Sequence, residues 1–450
     1  MAHPAHSAPL DTLRAAVQRG LDAHVPAGAP IAVALSGGRD SVVLLDALLQ
    51  AAPARDHRVS ALHVHHGLSP NADAWQRFCA DLCAQRNVAL SVRAIAVARA
   101  PQHSLESEAR RLRYAALTAM AAAAGVRFVA LAHHRDDQAE TLLLQLLRGA
   151  GPRGLAGMSA ARVDTHGVTF LRPLLDIARV AIDAYAVAAH LHWIDDESNV
   201  ETRYLRNAVR HALMPALAAV FPNPSVTLAR AAAHQAEAAL LADDLAAHDA
   251  REVSDGASVD RAALAALPAH RARNLLRWFL RQHGLPAPSS ARLAAMIEQL
   301  RSARSDANVR LAHGGIELGV HRGRIAIHAK PPPFFDLPWH FDSELVLPHG
   351  RLVAVHVDGD GLDARRLAQA PVRVRSRVGG ERLQLAANRP RRALKSILQD
   401  AGMPAWERRA LPLVYCGDEL VAAPGIGIDA AFGATRGAAG ITFSWHPALP

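Results

Sequence analysis

Between residue 30 and about residue 135, short apolar runs alternate with amphipathic stretches of helical period. Ile31–Leu35, Val59–Val64, Val88–Ile95 and Phe128–Ala132 are nearly continuous in apolar side chains, as strands buried on both faces must be. Val42–Leu49, Ala72–Gln85, Leu105–Ala124 and Asp137–Leu147 space their apolar residues as helices do. Such alternation predicts an α/β fold whose parallel sheet is covered on both faces. The pattern then changes. Pro222-Asn223-Pro224 breaks a helix, and Ser225 to about Ser302 reads as an all-α unit. Gly314–His328 alternates like a hairpin, and Pro331-Pro332-Pro333 makes a stiff linker. Beyond it, strand-like runs at Leu345–Val357, Val372–Val374 and Leu420–Ala423, with a helix near Arg392–Ala401, predict a small α+β unit. The expected domains are residues 1–221, 222–330 and 331–450.

In parallel sheets, ligands bind at the carboxyl ends of strands. Three such ends carry polar groups here: Ser36–Ser41, His63–Gly67 and His133–Glu140. The first reads Ser36, Gly37, Gly38, Arg39, Asp40, Ser41. Its glycines turn a strand into a helix, and the unpaired N–H groups at that helix start suit a phosphate. Glycine also lets the backbone approach the anion. Ser41 caps the helix or donates to phosphate. Asp40 would repel a phosphate unless it holds Mg²⁺ or orients a reacting group. The stretch is neither a Walker loop nor a dinucleotide-binding glycine turn.

Asp137 and Glu140 stand three apart and share a helical face. They suit Mg²⁺ or an amine, although acidic first-turn residues also open ordinary helices. His63, His65, His66, His133 and His134 have no cysteine at ligand spacing, so packing or hydrogen bonding is expected rather than zinc. Glu106, Arg110, Arg113 and Tyr114 fall on or near one helical face, where an internal Glu–Arg pair is the modest reading. The basic, glycine-rich stretch Arg148–Leu155 suits a lid, an RNA contact or a plain loop.

Charge narrows the partner. Twelve basic residues and three acids lie between Arg365 and Arg409, so this window alone carries the formal net charge of +9. A focused basic block is what a polyanion such as nucleic acid requires. Only two lysines occur, and Lys395 lies inside the block. Cys79, Cys83 and Cys416 form no disulfide framework, and no run approaches the length of a membrane span, so a cytoplasmic protein is expected.

The hexapeptide Ser36–Ser41 resembles the PP-loop of the ATP pyrophosphatases. Within that group the chain resembles the bacterial tRNA(Ile)-lysidine synthetases. The likeness rests on the PP-loop, His65-His66-Gly67-Leu68, Glu106 with Arg110, Arg113 and Tyr114, His133-His134 with Asp137–Thr141, and Arg148–Met158. It continues through Arg172–Leu175, Arg206-Asn207 with Arg210, Arg377–Glu381, Leu394-Lys395, Pro404, Trp406, Arg408 and Leu411–Leu413. Ser396 stands where a second lysine is common.

The resemblance implies a PP-loop (adenine nucleotide α hydrolase-like) domain, an all-α domain and a small α+β tRNA-binding domain. It implies that ATP adenylates the C2 oxygen of the wobble cytidine in a CAU-anticodon isoleucine tRNA, and that free L-lysine displaces AMP. Ser36 to Ser41 would hold ATP, with Asp40 and Asp137 on Mg²⁺. Asp137 and Glu140 would meet lysine, and His133 would take its proton. Arg148, Arg153, Arg206, Arg210, Arg377, Arg391, Arg392, Lys395 and Arg408 would contact tRNA. Oligomeric state stays open, a homodimer included. A PP-loop tRNA thiolase and an inactive tRNA-binding protein are the alternatives; the scarcity of cysteine pairs opposes the first, and the intact loop with its acids opposes the second.

Overall fold

The computed structural model describes residues 4–67, 69–97, 105–195, 197, 205–302 and 309–448. Leu68 and the side chain of Glu106, both part of the resemblance, lie outside this description. The chain divides into two compact units, Met1–Leu241 and Ala242–Pro450.

The first unit contains β1 Ile31–Ala34, β2 Val59–His65, β3 Ala89–Ala94, β4 Phe128–Ala130, β5 Ala161–Val163 and β6 Thr169–Leu171. They form one sheet in the order β3-β2-β1-β4-β6-β5, parallel except for the edge strand β5. Helices cover both faces. On one side α1 Pro4–His24, α2 Arg39–Ala51, α3 Ala72–Gln85 and α7 Arg179–Ala188 bury Leu13, Val17, Leu44, Leu48 and Ile182 against Ile31 and Val33. On the other, Leu117, Met120 and Ala121 of α4 Leu105–Ala123 pack on Ala32, Leu62 and Val129. Neighbouring residues of β1 therefore feed opposite cores, which is why the strand is apolar throughout. Two further helices follow β4, namely α5 Arg135–Leu147 and the short α6 Pro152–Leu155. Because β1 lies between β2 and β4, chain connections diverge on its two sides. That switch point opens a crevice between the ends of β1 and β4.

After α7 come α8 Leu205–Ala208, a π-helical turn Val209–Leu213 and α9 Met214–Val220. Then α10 Pro224–Val253 runs 30 residues, so the expected boundary at 221/222 precedes it while the compact units divide within it. No single helix among the described residues is long and apolar enough to cross a membrane.

The second unit adds α11 Arg261–Ala266, α12 Ala269–Gln282 and α13 Ser290–Ser302, whose apolar faces share one core. The expected hairpin is β9 Ile316–His321 with β10 Arg324–Ala329, turned by Arg322 and Gly323, both at positive φ. It is widened by β7 Ser258–Asp260 and β8 Arg310–His313 into a four-stranded antiparallel sheet. The remainder forms a five-stranded and a four-stranded sheet, with the short α14 Ala364–Leu367, α15 Leu394–Asp400 on the expected helix and α16 Ala405–Ala410 after it.

Candidate active site

The glycine turn follows β1 directly. Gly37 has φ +87°, and a Cβ there would meet Ile194 Cδ1 at 3.1 Å and Cys79 Sγ at 3.2 Å, so only glycine fits. Ile194 N–H donates to the Gly37 carbonyl at 3.0 Å, strapping the turn from above. Ser41 Oγ donates to the Gly38 carbonyl at 2.8 Å and lies 3.1 Å from Ser36 Oγ. In this state Ser41 braces the turn, while α2 starts without a side-chain cap. The Arg39 guanidinium points to Asp183 of α7 at 2.9 Å.

Across the switch point, α5 brings its acids towards Asp40. Between them sits His134, buried, with Nε2 3.6 Å from Asp40 and 3.5 Å from Asp137. Burial pulls the His134 pKa down, but the facing carboxylates of Asp40, Asp137 and Asp136 outweigh burial and raise it. Asp40 responds in kind: burial raises its carboxyl pKa, and His134 brings it below the usual range. Asp40 Oδ1 is buried and makes no hydrogen bond. The sequence points to His133 as the acceptor of lysine's proton; His134, given no role there, is the histidine that stands between the two acids.

Asp137 and Glu140 are both buried, and two arginines supply their countercharge. Arg206 of α8 reaches Asp137 Oδ1 and Glu140 Oε2, each at 3.0 Å. Arg210, in the π-helical turn, reaches Asp137 Oδ1 at 2.9 Å and Glu140 Oε1 at 2.6 Å. The remaining Asp137 oxygen accepts from the His134 N–H at 3.0 Å. Asp137 is held far below the usual carboxylate range, because His134 first, then Arg206, His133 and Arg210, overcome its burial. Arg206 and Arg210, expected on tRNA, thus face the protein's own acids in this structure. The reason is electrostatic: a buried carboxylate pair without cations would be prohibitively unstable. The spacing carried a signal for this, since residues 206 and 210 share a helical face as 137 and 140 do.

These groups open on a cavity of about 430 Å³, lined by five arginines (Arg39, Arg110, Arg113, Arg179, Arg210) and three acids (Asp40, Asp137, Asp195). Asp195, not singled out from sequence, receives the Trp193 indole N–H at 3.1 Å. On the cavity wall Tyr114 accepts from Arg172 Nη2 at 3.3 Å and Arg110 Nη2 at 3.5 Å. His133 is pushed down to about 3 by burial and by Arg172, Arg110 and Arg206, against the opposing pull of Asp137, so it is neutral at physiological pH. The other strand-end histidines pack or bond as expected: His63 Nδ1 lies 2.8 Å from the Leu35 carbonyl, His65 Nε2 2.9 Å from Asp73, and His66 edge-on to Trp75. Among the described residues no group of three or more His, Cys, Asp or Glu side chains is arranged to hold a metal by itself.

Arg148 and Arg153 are exposed around α6. The segment beyond them is clamped, since Gln138 bonds Met158 N–H at 2.7 Å and its carbonyl at 3.0 Å. In the second unit the basic block is partly neutralised. Arg377 pairs with Glu381 at 3.2 Å, Arg391 with Asp429 at 2.9 Å and Arg392 with Asp400 at 2.6 Å. Lys395 is exposed. Arg408 keeps a buried Nε without a hydrogen bond, and burial together with the Arg377 charge lowers its pKa.

Comparison with known proteins follows this layout. The PP-loop domain family matches residues 13–217, the TilS substrate binding domain residues 260–326 and the TilS substrate C-terminal domain residues 372–445. A tRNA(Ile)-lysidine synthase of Nitrosomonas europaea is 41% identical over 434 residues, 95% of this chain and 94% of that one. Those of Azoarcus sp. and Ralstonia nicotianae are each 42% identical, over 92% and 94% of this chain and 91% and 93% of their own. With the three domains in this order and the likeness spanning nearly the whole length, the chain belongs to the tRNA(Ile)-lysidine synthase family of ligases.

Proposed function

We propose that this protein joins free L-lysine to C2 of the wobble cytidine in a CAU-anticodon isoleucine tRNA, converting ATP to AMP and pyrophosphate. The observation that carries the reading is the meeting of a glycine turn with buried carboxylates across the sheet's switch point, in a cavity rich in arginine. The N–H groups of the turn from Ser36 to Ser41 would cradle the ATP phosphates. Magnesium is usually held by one or two carboxylates together with substrate phosphates. Asp40, whose buried Oδ1 makes no hydrogen bond and has Arg39 Nε beside it at 3.6 Å, fits that role better than Asp137, whose oxygens both accept hydrogen bonds. A bound Mg²⁺ would stabilise charge on the departing pyrophosphate. His134, standing between Asp40 and Asp137, would keep the two carboxylates from repelling each other. Lysine would reach Asp137 and Glu140 by replacing an arginine guanidinium, one cation for another.

The tRNA would be gripped through phosphate contacts by exposed Lys395, Arg148 and Arg153 and by the outer faces of Arg391 and Arg392. Arg377 and Arg408, two neighbouring cations, would be relieved by a phosphate. The division at 221/222 and 330/331 would separate catalysis from this grip, and the protein would work in the cytoplasm. The test is incubation with ATP, labelled lysine and CAU-anticodon isoleucine tRNA. Label should enter that tRNA and not methionine tRNA. No entry, or equal entry into both, would refute the specific reading.

A further inference from the structure

The ε-amine of lysine is an ammonium at neutral pH, with an ordinary pKa of about 10.4, and must lose a proton before it attacks. A general base works best when its own proton affinity is matched to the task. His133, with its pKa pushed down to about 3, binds a proton too weakly. Tyr114 lines the same cavity. Its oxygen accepts from Arg172, which follows β6, and from Arg110 of its own helix, so both bonds run into the oxygen. The guanidinium carbons of Arg110 and Arg162 (the latter on β5) lie 5.3 and 5.2 Å from its ring centre. Phe170 meets the ring edge-on at 5.0 Å and fixes it. Three cations from three elements therefore surround one phenol, an arrangement that favours the phenolate.

Resting on the lysidine-forming reading, we propose that the Tyr114 oxygen is the base that takes the proton from the lysine ε-ammonium. An N–H bond of the ammonium breaks and its proton forms the phenol O–H. The freed nitrogen pair then bonds to C2 of the adenylated cytidine, the C2–O bond breaks, and AMP leaves with that pair. Burial alone would raise the phenol pKa, but Arg110, Arg172 and Arg162 together bring it below the usual value.

The test separates the two half-reactions. Tyr114→Phe keeps the ring and its packing. Its tRNA-dependent ATP–pyrophosphate exchange, measured without lysine, should stay within about threefold of wild type, whereas lysine incorporation falls by about 10²–10⁴-fold. The alkaline rise in the wild-type rate of incorporation should disappear. Arg162→Gln, which removes one cation from the ring, should move that rise to higher pH. Equal loss in both half-reactions, or an unchanged pH profile in Tyr114→Phe, would overturn the assignment. Failure of the wild type to incorporate lysine at all would instead overturn the functional reading beneath it.

Discussion

Arg206 and Arg210 in the first unit and Arg389 and Lys395 in the second are all cations, yet they are used in opposite ways. The first pair is folded against Asp137 and Glu140, with both arginine side chains about one-fifth exposed. The second pair lies at the surface of a block whose arginines outnumber their acids. Two buried cations facing two carboxylates add little net charge and serve geometry. An exposed cation in an unbalanced block creates a field that draws polyanions. Counting charge along the chain finds the second kind and overlooks the first.

Variants of the two regions should differ in kind. The largest effect is expected at the heart of the catalytic unit. Asp40→Ala should lower AMP formation by at least about 10³-fold, since the Mg²⁺ proposed on this carboxylate would supply charge stabilisation worth several kcal/mol. Filter binding of tRNA should be unchanged; a parallel loss of binding would blur the division between the regions. Next, Arg210→Ala strips one cation from buried Glu140 and should cost about 3 kcal/mol of stability, read from denaturant melts. A loss below about 0.5 kcal/mol would mean that the cluster is no more than a surface pair.

His133 gives a smaller, pH-dependent effect. The unfolded chain takes up a proton on this residue below its ordinary value of 6.5, whereas the folded protein does so only near 3. Acid therefore favours unfolding, and this contribution is lost as pH falls. His133→Gln should remove roughly 2 kcal/mol of the stability change between about pH 6.5 and pH 5. The smallest effect belongs to the basic block. Lys395→Ala should leave stability within about 0.5 kcal/mol and reduce the salt dependence of tRNA binding by about one unit of slope.

The same contrast explains what the sequence could reveal. The glycine turn is a local object: β1, Gly37, Gly38 and the start of α2 are contiguous, so chain order alone specified it. The facing acids on α5 were legible too, because parallel sheets bring strand ends together. Sequence did not reveal which groups close around them. His134 lies between Asp40 and Asp137 because β1 and β4 are neighbours. The cations around Tyr114 come from residues 110, 162 and 172, which only the β5–β6 hairpin gathers. That hairpin, with strands of three residues each, is too short to stand out in a hydrophobic pattern.

In the proposed reaction ATP activates the cytidine and not the amino acid. This is tested most directly with tRNA carrying ¹⁸O at C2 of the wobble cytidine. Mass spectrometry of the released AMP should find the heavy oxygen in its phosphate, because the proposed attack of lysine would break the C2–O bond. Unlabelled AMP, with ¹⁸O retained in the modified tRNA, would contradict the account.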